Sequence, residues 1–386
     1  MGNRSLSDNS LLPLPATDAV LQQAIDERAF PGAAYGVWLR GNVVAMSAVG
    51  RFTYAPDAPP MQPETIFDLA SVSKVVATTS MAMRLWERGQ LDLEQPISRW
   101  LPEFIAIPDA VHVADRQRVT AHMLLAHASG LPAYARLFEQ CDTAASLLHA
   151  CLRMPLEAPP GTRAVYSDIG FILLGQLLER IAGETLDVFC QREIFAPLGM
   201  THTAFCPPAA WKAAIPPTQI DTTLRPRVLQ GEVQDENCWR MGGISGHAGV
   251  FSNVPDLLRF AACILHGGAA MSDAPMDGTP IFLPETVQLF TTRDATVAGS
   301  SRALGWDTPS QPSSSGQYLS SHSAGHLGYT GTSLWLDFEK QLAVALLTNR
   351  TYPGNDPVDG SGEISQAIQK ARPRFHDALL REMHRA

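Results

Sequence analysis

Residues 65–89 read TIFDLASVSKVVATTSMAMRLWERG. From Val72 to Met83 the stretch is small and otherwise uncharged, yet it carries one cation, Lys74, three positions after Ser71. The chain has 29 basic residues, of which only four are lysines, at 74, 212, 340 and 370. Arginine serves wherever a fixed cation is enough, so a lysine here suits a task arginine cannot perform, the release of a proton. The pattern predicts a helix over Ser71–Arg88 that stops at Gly89. On it, residues i and i+3 share a face, so the hydroxyl and the amine can hydrogen-bond. A serine becomes a useful nucleophile when a base takes its proton, and burial lowers a lysine's pKa towards that role. Ser71 also opens the helix, where free N–H groups favour a developing oxyanion.

Around this segment the composition is that of an ordinary globular protein. The chain has 386 residues, 45% of them hydrophobic and 17% charged, with 29 glycines and 29 prolines. That length can bury a large core. A net charge of −9, with no clustered basic run, argues against nucleic acid or an anionic membrane as partner. No apolar run approaches the roughly 18 residues of a spanning helix. The opening MGNRSLSDNSLLPLPATDAV lacks the layout of a secretory signal, and its MGNRSLS fits a myristoylation pattern only loosely. Cysteines 141, 151, 190, 206, 238 and 263 are scattered without a CxxC and read as buried, reduced thiols. The expectation is a cytoplasmic protein.

Along the chain, residues 1–17 read as a flexible N-terminus and Asp18–Ala29 as a helix. Strands are expected at Ala33–Leu39 and Val43–Ala48, split by Arg40-Gly41-Asn42. Helical and loop signals dominate to about residue 290, including GFILLGQLLERIAG and VPDLLRFAACILHGG, the latter with Asn253 and Asp256 at its start. Strand character returns at Tyr329–Leu336 and Gln341–Leu347, with Phe338-Glu339-Lys340 as the turn, before a last helix over Ile364–Met383. The expected architecture is a mixed α/β (α+β) fold. Residues 18–90 and 290–386 form a sheet domain, and 91–289 an inserted, mainly helical one.

FDLASVSK resembles the serine β-lactamase and penicillin-binding-protein superfamily, especially its class C β-lactamase-like branch of esterases and D-stereospecific peptidases. That family carries S-x-x-K, then Y-x-N, then K-T-G or H-x-G. Here the second element matches Tyr166-Ser167-Asp168 in PGTRAVYSDIGFILLGQLLE, and the third His326-Leu327-Gly328 in GHLGYTGTSLWLD. The likeness runs from about residue 29 to 352, with HMLLAHASGLP, GGISGHAGVFS, LGWD and ALLTNRTYP as further matching phrases.

The resemblance implies an antiparallel sheet built from both termini and flanked by helices. It also implies an acyl-enzyme on Ser71, with Lys74 and Tyr166 sharing the proton transfers. The N–H groups of Ser71 and Tyr329 would form the oxyanion hole, and His326 and Gly328 would line the substrate strand. His326 would help to bind a carboxylate or a developing charge. Asp168 stands where relatives present a side-chain amide to substrate, and the lysine of K-T-G is missing. Both departures favour an esterase or D-amino-acid peptidase/amidase over a β-lactamase or DD-carboxypeptidase. A penicillin-binding sensor, acylated without turnover, is the alternative of another class. The expected partner is a small ester, amide or peptide, with no cofactor. No Gly-x-Ser-x-Gly surrounds GHAG, so His247 reads as structural. The pairs His122/His127 and His322/His326 lack the pattern of a zinc protease, so no metal is expected.

Overall fold

The computed structural model describes residues 11–107, 113–270, 280–354 and 363–385. Helix α1 spans Pro15–Asp26 and leads into β1 (Gly32–Leu39) and β2 (Asn42–Gly50). The chain then reaches Ser71 and continues into α2 (Ser80–Glu87). In the middle of the chain lie α3 (Asp168–Ala182) and α4 (Val254–Leu265). The last elements are β3 (Ser323–Leu327), β4 (Ser333–Asp337), β5 (Leu342–Thr348) and α5 (Glu363–Arg385).

The five strands form one antiparallel sheet in the order β2-β1-β5-β4-β3, so β5 from the C-terminal part lies between β1 and β4. Side chains alternate across a strand, and both faces are covered. Tyr35, Val37, Leu342, Val344 and Leu346 pack with Leu21, Phe375 and Leu379 of the terminal helices. Ala34, Trp38, Ala343, Ala345 and Leu347 face the larger core, which continues through α2, α4 and α3. Two small sheets lie between these elements. One joins residues 67–68, 250–252 and 204–205, and the other pairs 219–221 with 227–229. Among the described residues no helix is long and apolar enough to cross a membrane.

Several expectations need correction. The first helix starts at Pro15 rather than Asp18, because proline's fixed φ suits the first helical position. Residues 11–17, expected to be loose, are anchored: Leu12 N–H donates to Val44 O at 2.8 Å and Thr17 N–H to Glu382 at 2.9 Å. The helix of residues 70–87 is continuous but uneven, a 3₁₀ turn (Ala70–Val72) followed by a π-helical stretch (Lys74–Thr79) before α2. The strand expected over Tyr329–Leu336 begins only at Ser333, and residues 329–332 form a turn. Gly328 N–H donates to Thr332 O at 2.8 Å and reverses the chain between β3 and β4. All six cysteines are free; Cys206 is exposed and the others are buried.

Candidate active site

Ser71 sits at the tip of a strained turn. Ala70, just before it, has φ +46°, a left-handed conformation that costs about 1–3 kcal/mol and persists only where the surroundings impose it. Asp68 imposes it, accepting from Ala70 N–H at 2.9 Å and from Gln234 N–H at 2.7 Å. Burial of Asp68 pushes its pKa up to about 6.

Lys74 is fully buried one turn further on, and its ammonium is fully engaged. Nζ donates to Ser71 Oγ at 2.9 Å, to Asp168 Oδ1 at 2.7 Å and to the His247 carbonyl at 2.8 Å. Burial alone would lower its pKa, but the carboxylate of Asp168 and the phenol of Tyr166 reverse this, and the net shift is upward. This corrects the expectation that burial would free the amine of its proton. It also gives Asp168 a role the sequence concealed: it is the counter-ion of Lys74, at the first position of α3 and on the cavity wall.

Tyr166 precedes the N-cap of α3, Ser167, whose Oγ accepts from Gly170 N–H at 2.9 Å. Its ring lies 5.0 Å from Lys74 Nζ, and its hydroxyl interacts with both Lys74 and Ser71. Burial raises the phenol's pKa, and Lys74 offsets only part of that rise. Two imidazoles flank the ring, at 4.6 Å (His127) and 5.9 Å (His326). His127 Nδ1 accepts from Ser167 N–H at 3.0 Å, which leaves its hydrogen on Nε2. Burial first, then Arg302 and Lys74, hold His127 well below the ordinary imidazole range.

The turn after β3 is fastened to the nucleophile turn. Thr330 Oγ1 donates to Asp68 O at 2.8 Å, and Thr332 Oγ1 to Leu69 O at 2.9 Å. Gly328 must be glycine, because a Cβ there would lie 2.4 Å from Leu69 O. Arg372 of α5 braces the same turn through Gly328 O at 2.6 Å and Thr332 O at 3.0 Å. Neither the Ser71 nor the Tyr329 N–H donates to an acceptor among the described residues.

A cavity of about 650 Å³ opens over Ser71, with Tyr134, Tyr166, Asp168, Arg302 and His326 in its walls. Sequence reasoning missed Arg302, whose guanidinium stands 5.3 Å from the Tyr166 ring centroid and pairs with Asp307 at 3.5 Å. The loop 246–250, within the GGISGHAGVFS phrase, is held along the helix by Lys74, by Thr78 (2.7 Å to Gly246 O) and by Ser73 (3.0 Å from Val250 N–H). Behind that loop, Ser245 Oγ, His247 and Asp235 form a hydrogen-bonded chain, each link 2.9 Å. This chain has the residue types of a catalytic triad. Ser245, however, is buried and absent from the cavity wall, so the chain fixes the loop whose carbonyl receives Lys74.

Comparison with known proteins places this geometry in a class. The Beta-lactamase family model matches residues 17–368, and the chain belongs to that family. It is a serine hydrolase. In particular, it is 32% identical over 389 residues to an N-acetylmuramyl-L-alanine amidase of Bacillus subtilis (strain 168), covering 92% of this chain and 85% of the relative. A candidate D-alanyl-D-alanine carboxypeptidase of Escherichia coli (strain K12) is 32% identical over 324 residues, 76% of this chain and 71% of the relative. Among solved structures, EstCE1, a hydrolase with promiscuous acyltransferase activity, superposes with TM-score 0.69 at 24% identity, covering 93% of this chain and 98% of that one.

Proposed function

We propose that the protein hydrolyses an ester or amide through an acyl-enzyme on Ser71, as an esterase or D-amino-acid peptidase/amidase. The observation that carries this reading is the 2.9 Å hydrogen bond between Lys74 Nζ and Ser71 Oγ at the floor of the cavity. In the resting state Lys74 is an ammonium held by Asp168 and Tyr166 is a neutral phenol. Attack begins when Lys74 has given up a proton and takes the one on Ser71 Oγ. Oγ then bonds to the substrate carbonyl carbon, and the carbonyl electron pair moves to oxygen. The N–H groups of Ser71 and Tyr329 receive that oxyanion, and each such donor is typically worth about 100- to 1000-fold in rate. Tyr166 delivers a proton to the leaving group, replenished from Lys74, and the reverse transfers activate water for deacylation. This chemistry needs no cofactor.

Asp168 supports the choice of esterase or amidase over β-lactamase, since its carboxylate is committed to Lys74 rather than offered to a substrate amide. A second reading, cleavage of an amide or D-alanyl bond in a cell-wall peptide, draws on the names of the two 32%-identical relatives. Comparing wild type with Ser71→Ala on p-nitrophenyl acetate and on a D-alanyl-D-alanine peptide tests the reading and ranks the substrates. The proposal requires Ser71→Ala to abolish turnover of whichever substrate wild type accepts. Retained turnover would refute it.

A further inference from the structure

His326 closes β3 against Tyr166, and its two ring nitrogens have different roles. Nδ1 lies 2.8 Å from the carbonyl of Leu327, which can only accept, so the hydrogen of the neutral ring sits on Nδ1. Nε2 has no hydrogen-bond partner among the described residues, although the side chain is 97% buried (3% exposed) and lines the cavity. The charged groups that most lower its basicity are Lys74 from the nucleophile helix, Arg302 from the segment beside β3 and Arg372 from α5; Asp168 and Asp307, which pair with Lys74 and Arg302, line the same cavity. Tyr166 and His127 stand near it as neutral groups. A proton on Nε2 would place a further positive charge in a buried site where, among the described residues, only Lys74 and Arg302 of the three cations have a carboxylate partner of their own. Burial first, then Lys74 and Arg302, hold His326 well below the ordinary imidazole range. Nε2 is therefore a lone pair at neutral pH, which is the opposite of the anion-binding role expected from the sequence.

We propose that His326 determines specificity by presenting Nε2 as a neutral acceptor to the leaving-group side of the substrate. The enzyme then selects esters or amides whose leaving group carries a hydroxyl or amide N–H there, and disfavours a carboxylate that faces the Nε2 lone pair, although Arg302 and Arg372 line the same cavity. The leaving-group side follows from Tyr166, the proposed proton donor, whose ring centroid is 5.9 Å from that of His326. The proposal rests on the reading of Ser71 as nucleophile. A buried acceptor left unpaired or faced by an anion is costly, so the discrimination should be about tenfold or more.

Two acetate esters test it, one of 3-hydroxybenzamide and one of 3-hydroxybenzoic acid, compared as a ratio of kcat/KM within each protein. General loss of activity in a variant then cancels. Wild type should favour the benzamide ester about tenfold, with a ratio that stays flat between about pH 6 and 8. His326→Lys should reverse the preference, and His326→Leu should bring the ratio close to that of hydroxide-catalysed hydrolysis. A wild-type preference for the benzoate ester that fades as pH rises through the imidazole range would overturn the proposal, by showing an imidazolium. So would a ratio that His326→Leu leaves unchanged. The wild-type pH profile decides the matter even when a variant fails to fold. Ser71→Ala, run on both esters, separates the two readings, since its retained turnover would refute the nucleophile and not the acceptor.

Discussion

Replacing Asp168 by asparagine removes the counter-ion of a fully buried lysine and keeps its shape. In wild type the carboxylate is 2.7 Å from Lys74 Nζ, with Lys74 fully buried and Asp168 18% exposed. Breaking a buried pair typically costs about 3–5 kcal/mol, and the partial exposure of Asp168 places this case near 3. The variant has an escape, since Lys74 can lose its proton. With the carboxylate gone, burial dominates and the folded-state pKa of Lys74 falls below that of the unfolded chain. The wild-type shift is upward, so its pair contributes fully below the unfolded lysine value and fades as pH rises through the folded value. In the variant the unfolded chain binds more protons, so stability rises with pH. The gap between the two proteins should therefore be widest in acid and shrink in alkali.

Activity carries the sharper signature. If Lys74 must be neutral to accept the Ser71 proton, wild-type kcat/KM on p-nitrophenyl acetate climbs on the alkaline side, and Asp168→Asn moves that limb to lower pH. Urea unfolding and kcat/KM, both measured from about pH 6 to 10, make the test. A limb that stays in place, or moves to higher pH, would refute the assignment of Asp168 as the group that keeps Lys74 protonated.

Lys74→Arg should lose activity nearly as fully as Lys74→Ala, about 100- to 10,000-fold on p-nitrophenyl acetate, because arginine keeps its proton. Gly328→Ala should lose about 100- to 1000-fold in kcat, since its Cβ would meet Leu69 O at 2.4 Å and push the Tyr329 N–H away from Ser71. His122 bridges Glu94 at 2.6 Å and Asp294 at 2.7 Å. Burial lowers its pKa, but the two carboxylates prevail and the net shift is upward. Its bridge therefore stabilises below the ordinary imidazole value and is lost as pH rises through the raised one. His122→Gln should cost about 1 kcal/mol near pH 5.5 and little above pH 8 in urea unfolding.

How much of this could be read in the sequence depends on the length scale of each contact. The Ser71–Lys74 pair is local, one helical turn, and the spacing alone places hydroxyl and amine together. The sheet strands β1, β2 and β5 were visible as alternating or fully apolar runs. The contacts that decide protonation are remote in the chain. Asp168 meets Lys74 across 94 residues, and His247 O does so across 173. Thr330 reaches Asp68 O across 262. No periodicity encodes these, so Asp168 read as a substrate contact and Arg302 was not singled out. His326 was located by its place in H-x-G, but its burial and its neighbours were not legible there. The three cations that disfavour its protonation come from parts of the chain that meet only in the fold.

The central claim is that Ser71 carries the acyl group, and covalent labelling tests it without knowledge of the substrate. A fluorophosphonate probe, followed by peptide mapping of the inactivated protein, should place the adduct on Ser71 alone, with none in Ser71→Ala. An adduct on Ser245, within the hydrogen-bonded chain to His247 and Asp235, would contradict the account, as would full hydrolysis by a protein the probe leaves unlabelled.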